Sequence, residues 1–152
     1  MRKFLVVLDD TPECINAMRF AAIRAHKTGG GVELLAIIPP EEFQHWIGVG
    51  ERMRSEAHAR IHAHYEIFKG ELEKNEDITP TLAIREGERV TEILAHIQSD
   101  SEIGVLVLGA RAKGDGPGPL VADLTGGRVN DMHVPITVVP GTMTKEEIVA
   151  VS

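Results

Sequence analysis

The run Phe4-Leu5-Val6-Val7-Leu8-Asp9-Asp10-Thr11-Pro12 decides the fold. Its five leading residues are continuously apolar and rich in Val and Leu. Such a run suits a strand buried on both faces of a parallel sheet. Asp9-Asp10-Thr11-Pro12 then breaks it, and Asp10 or Thr11 can cap a helix with Pro12 in its first turn. Cys14, Ala17, Met18, Ala21, Ala22 and Ala25 follow at helical spacing. Gly29-Gly30-Gly31 supplies the stop.

The same alternation continues outward. Residues 32–38 read as a second buried strand, halted by Pro39-Pro40. After a connection holding Trp46-Ile47-Gly48-Val49-Gly50, a long amphipathic helix is expected over about residues 51–74. Its apolar stripe is Met53, Ala57, Ile61, Tyr65, Phe68 and Leu72. Residues 81–84 form a short third strand, and Arg85-Glu86-Gly87 turns the chain. Val90, Ile93, Leu94 and Ile97 mark another helix, and residues 103–108 a very apolar fourth strand. The Gly- and Pro-rich segment 109–127 reads as a loop with some helix near its end, and residues 135–139 as a fifth strand. Thr144-Lys145-Glu146-Glu147 has the capping-box pattern of a short last helix. The expected class is α/β, an open, mostly parallel five-stranded twisted sheet with helices on both faces and right-handed crossovers, Rossmann-like in outline. Residues 1–140 are expected to form one domain and residues 141–152 a tail.

Composition bounds the function. The chain has 152 residues, 43% of them hydrophobic, enough for one domain with a real core. A net charge of −7 argues against general nucleic-acid binding, which needs Lys and Arg to neutralise phosphates. No apolar run approaches the roughly 20 residues of a membrane span, and the short N-terminal run lacks a signal-peptide cleavage pattern. A cytoplasmic location is expected. Cys14 is the one cysteine, so no internal disulfide can form.

In open α/β sheets, ligands bind beyond the carboxyl ends of the strands, near a switch in strand order. Three segments deliver unusual residues there: Asp9-Asp10-Thr11, the residues from Ile37 to Pro40, and the loop opening at Gly109. Glycine-rich loops leave backbone N–H groups free for phosphate, and Arg111 and Lys113 add positive charge. The loop can equally be ordinary surface punctuation. No Walker-A pattern and no G-x-G-x-x-G after the first strand is present. Asp9 can accept hydrogen bonds from a ribose or an adenine amine, or Asp9 or Asp10 can serve only to cap a helix. His58 and His62 stand four apart, but the segment lacks the H-E-x-x-H glutamate, so a solvated helix face is expected and no metal. Trp46, Ile47 and Val49 suit packing over the sheet edge or a partner-binding segment. No nucleophile has a convincing base, and Cys14 falls in an apolar helical stripe as a small hydrophobe.

Taken together, residues 4–13, Glu33-Leu34-Leu35-Ala36-Ile37-Ile38, Arg85-Glu86-Gly87, Val105-Leu106-Val107-Leu108-Gly109 and Val134-Pro135-Ile136-Thr137-Val138-Val139 resemble, in order and spacing, the universal stress protein family. The resemblance covers about residues 2–140. It implies a stress-response or signalling protein, a homodimer paired through the last strand (residues 135–139), and an adenine nucleotide, ATP with magnesium included, as ligand. It also implies that Asp9, with Asp10 beside it, approaches ribose or adenine, that Ile37 gives backbone contacts to adenine, and that Leu124 lines the phosphate end. The nucleotide-binding branch of the family carries Gly-x2-Gly-x9-Gly-(Ser/Thr) after its fourth strand. Aligned without gaps from Gly109, this chain has Ala112 and Ala122 at the second and third glycines and Asp123 at the hydroxyl. A shifted match, Gly116-x9-Gly126-Gly127, needs a four-residue insertion and an equal shortening before Pro135, and the gapless version is preferred. A Cβ at Ala112 and Ala122 crowds a backbone that must approach phosphate. A like charge at Asp123 costs on the order of 1–4 kcal/mol at ~4 Å. The expectation is a regulatory binding protein with weak, altered or absent ATP binding. Two alternatives stand beside it: an ATP-binding protein or slow nucleotide hydrolase using the Gly109 loop, and an interaction module whose partner docks on Trp46 or the C-terminal tail.

Overall fold

A computed structural model describes residues 1–40 and 49–152 of the chain. The expected Trp46 surface lies outside the described residues. Five strands form one sheet: β1 (Lys3–Val7), β2 (Gly31–Ile38), β3 (Thr81–Glu86), β4 (Ile103–Ala110) and β5 (Ile136–Pro140). Their order is β3-β2-β1-β4-β5, and every neighbouring pair is parallel. The helices are α1 (Glu13–Thr28), α2 (Val49–Glu76), α3 (Arg89–Ser99), α4 (Pro119–Thr125) and α5 (Lys145–Val151).

The apolar runs form strands because both faces of the sheet are covered. Val6, Leu34, Ala36 and Val107 point to one core, shared with α1, α2 and Ile148 of α5. Leu5, Val7, Leu35 and Leu106 point to the other, shared with α3 and α4. The period-two alternation thus separates two hydrophobic layers rather than a dry face from a wet one. The small residues of α1 let it approach the sheet closely. A Cβ on Gly109 would fall 2.4 Å from the Glu13 carbonyl oxygen, so glycine there is a packing requirement.

Several local expectations are corrected. Arg85 and Glu86 belong to β3, and the turn falls at Gly87 (φ 149°). The N-cap of α1 is Pro12, with no capping side chain. Asp9, rather than Asp10 or Thr11, satisfies the turn by accepting the Thr11 N–H at 2.9 Å. The helix inside segment 109–127 begins at Pro119, immediately after Gly118 (φ 102°), with Pro in the first turn. The tail forms α5 with the complete capping box between Thr144 and Glu147, and fully buried Ile148 anchors it against α1.

Candidate functional site

Strand lengths create the site. Pairing of β1 with β2 ends at Val7↔Leu35, yet β2 runs on to Ile38 beside β3. Pairing of β1 with β4 ends at Val6↔Val107, yet β4 runs on to Ala110 beside β5. The central strand is therefore short, and a notch opens above it between its two neighbours. The strand order reverses at this point, where an α/β sheet offers a ligand crevice. Asp9 sits at the base of the notch.

Two chambers share Val7, Asp9 and Arg89 in their walls. The first, about 250 Å³, has an apolar floor of Leu8, Ala36, Ile37 and Ile38 and is covered by Arg60, Ile61 and His64 of α2. The second, about 180 Å³, lies between Thr11 and Cys14 on one side and Gly109, Arg111 and Gly118 to Val121 on the other. Each alone falls below the roughly 300 Å³ at which ligand pockets begin. A ligand spanning both would pass Asp9 and Arg89.

Charge is arranged around that shared wall. Asp9 Oδ1 accepts the Thr11 N–H and the Thr11 hydroxyl, and Asp9 Oδ2 accepts from Arg89 Nη2 at 3.1 Å. Asp10 is paired with His64 Nδ1 at 3.3 Å, and the His64 ring leans on Phe68. The two adjacent aspartates are thus held by two different helices, α3 and α2. Glu88 caps α3 by accepting the Val90 and Thr91 N–H groups, and the Thr91 bonds hold its carboxyl below the ordinary glutamate value. Burial, aided by Asp9, pushes the Cys14 thiol up to about 12, and its Sγ–H donates to the Val7 carbonyl. This thiol is a small buried hydrophobe, not a nucleophile.

The loop after β4 is closed on itself. The Arg111 N–H donates to the Pro117 carbonyl at 3.1 Å, its Nε to the Gly116 carbonyl at 3.3 Å, and its Nη2 to the Asp115 carbonyl. The guanidinium that could have met phosphate serves as the loop's own staple. The first residue of α4, Pro119, has no N–H to offer.

Of the residues expected from sequence, the notch gathers Asp9, Asp10, Ile37, Gly109 and Arg111. Ala112, Lys113, Ala122, Asp123 and Leu124 line neither chamber. Ala122 and Asp123 are exposed on α4, and Leu124 is fully buried in the core. The Asp123 carboxylate thus stands outside both chamber walls. Gly118, Pro119 and Leu120 occupy the corresponding wall instead. Arg89 and His64 carry no local sequence signal of a ligand site, because each meets its aspartate only through the tertiary fold.

Two negatives hold among the described residues. No three His, Cys, Asp or Glu side chains group to hold a metal ion, and no helix is long and apolar enough to cross a membrane. His58 instead faces Glu86 at 3.5 Å. A wider groove of about 830 Å³ lies at the opposite, amino end of the strands, between Arg2, Gln98, Gly104 and His133. It contains none of the expected site residues.

The fold agrees with comparisons to known proteins. The model of the universal stress protein family matches residues 1–140, and the chain belongs to that family. No curated protein matches it by sequence. Among solved structures it is similar to the universal stress protein UspA from Lactobacillus plantarum, with TM-score 0.72 and 17% identity over 91% of this chain and 97% of that one. It is also similar to a universal stress protein from Archaeoglobus fulgidus in complex with dAMP, with TM-score 0.62 and 17% identity over 91% and 97%. A third is a universal stress protein in complex with cAMP, with TM-score 0.62 and 12% identity over 93% and 98%. At these identities the likeness shows the shared fold.

Proposed function

We propose that this chain is a stress-response regulatory protein that binds an adenine nucleotide in the notch above β1, with weak or absent affinity for ATP. The observation that carries this reading is the asymmetry of the two chambers. The first has the apolar floor and the flanking strand edge that suit a purine. The second ends in a loop whose arginine is already bonded to its own carbonyls and in a helix opening with proline. The two chambers together suit a nucleoside and one phosphate, while the arginine that a longer phosphate chain would meet in this loop is already engaged. The family and the relatives solved with dAMP and cAMP agree in kind.

Regulation rather than turnover is favoured by the state of the reactive groups. The thiol of Cys14 is held protonated, and the Asp9 carboxylate is bonded to both Thr11 and Arg89. The dimer expected from the family likeness is proposed through β5. Among the described residues this strand pairs with β4 alone, and it exposes Val138. An unpaired edge of that kind invites a second copy.

Calorimetric titration of ligand-stripped protein with AMP and with ATP, with and without magnesium, tests the reading. AMP binding with ATP at least tenfold weaker is expected, and Asp123→Ser is expected to change neither. Tight ATP binding would refute the closed-loop reading. Absence of any nucleotide binding would refute the ligand itself.

A further inference from the structure

The Asp9–Arg89 pair raises a question that the shape of the notch leaves open. Asp9 Oδ1 already accepts twice, from the Thr11 N–H and the Thr11 hydroxyl, while Oδ2 accepts once, from Arg89. A ribose hydroxyl that donates to Asp9 therefore comes to Oδ2, the oxygen that holds the guanidinium, and crowds that contact. The outcome depends on what Arg89 meets once displaced.

Resting on the reading of the notch as a nucleotide site, we propose that Arg89 sets the class of ligand by an exchange of partners. It yields Asp9 Oδ2 to the ribose and turns to a phosphate carried on that ribose. A free nucleoside displaces the guanidinium and gives it nothing in return. A nucleoside monophosphate displaces it and supplies a stronger, charge-assisted acceptor. Asp9 and Arg89 together then select a phosphorylated nucleoside over its unphosphorylated parent.

Three observations carry this. Arg89 lines both chambers, so its guanidinium stands between the purine and phosphate ends. Its backbone is fixed at the start of α3 by the Glu88 cap, while its long side chain is 43% exposed and reaches Asp9 across 80 residues of sequence. The other cations are placed differently. Arg111 is bonded to loop carbonyls, Lys113 lines neither chamber, and Arg60 lines only the first. Arginine suits the role because its planar fork can meet a phosphate through two N–H groups.

Titrating AMP and adenosine into ligand-stripped full-length wild type, Arg89→Gln and Asp9→Asn tests the exchange. Wild type is expected to prefer AMP by about tenfold, as befits one charge-assisted contact at a half-exposed site. Arg89→Gln is expected to bring that ratio close to one, with adenosine bound at least as well as by wild type. Asp9→Asn is expected to move the ratio the other way, because the guanidinium is released without a ligand's help. Arg89 lies on the surface at the start of a helix, and a thermal melt verifies that the glutamine variant folds. If it does not, Asp9→Asn decides. An AMP-to-adenosine ratio unchanged in the variants, with wild type binding AMP, overturns the exchange and leaves the site standing. Wild type binding neither ligand overturns both.

Discussion

At the scale of single residues, the best-buried charged cluster lies away from the notch. Glu33, itself in the core, takes a 2.6 Å hydrogen bond from His96 and a 3.4 Å contact from Lys3, which also reaches Asp100 at 2.5 Å. The His96 bond is the leading cause that holds the Glu33 carboxyl below its ordinary value of 4.5, overcoming burial, with Lys3 adding to it. The sign of the pH effect follows. A carboxyl depressed in the fold contributes its full stabilisation above pH 4.5 and loses it as pH falls through the folded value. Glu33→Gln is expected to lose about 1–3 kcal/mol at neutral pH, the cost of disrupting a buried polar contact. It is also expected to flatten the acid limb of a stability-against-pH curve, as urea unfolding at several pH values would read. A limb as steep as wild type would remove Glu33 from the acid response. Gly109 gives a second residue-scale test. The Ala variant must push the Glu13 backbone aside, and thermal or urea denaturation should show a loss of about 1–3 kcal/mol.

Elements differ in how far sequence alone defines them. The strands β1, β2 and β4 were legible because they are buried on both faces and therefore almost wholly apolar, Lys3 and Glu33 apart. The α1 stripe from Cys14 to Ala25 and the Thr144 capping box were legible because their periods and spacings are local. The start of α4 was not, although Gly118-Pro119 carries the signal of a left-handed residue followed by proline at N1. Surrounding Gly and Pro masked it. With α4 beginning there, the positions aligned to the phosphate motif moved out of the chamber wall. Arg89 left no local trace at all, since one charge at a helix start gains meaning only from an aspartate in the distant turn after β1. Two predictions belong to elements. Thr144→Ala should cost about 1 kcal/mol by removing the cap of α5, read as a lowered melting temperature. Arg111→Ala should open the loop it staples, so that limited proteolysis cuts within residues 111–117 faster than in wild type. Equal cutting rates would show that the loop is held by its glycines and prolines alone.

At the scale of the whole molecule, the fold provides two edges and two ends, and the chemistry divides between them. The carboxyl end of the sheet holds the notch with its paired aspartates. The amino end holds the larger groove and lies near the Lys3, Asp100 and His96 network. The β5 edge is the surface proposed for the dimer, because the tail that could have covered it packs on α1 instead, through Ile148 and the bond from Arg24 to the Ser152 carbonyl. Sedimentation of wild type is expected to show a dimer, and Val138→Lys a shift toward monomer. A wild-type monomer would remove that proposal without touching the notch. The location of the ligand is the central claim, and amide chemical-shift mapping during AMP titration tests it most directly. The expected result is movement of Asp9, Asp10, Ile37, Arg89 and Gly109, with Lys3, Gln98 and Gly104 unmoved. Shifts concentrated at the amino-end groove, with the Asp9 region still, would contradict it.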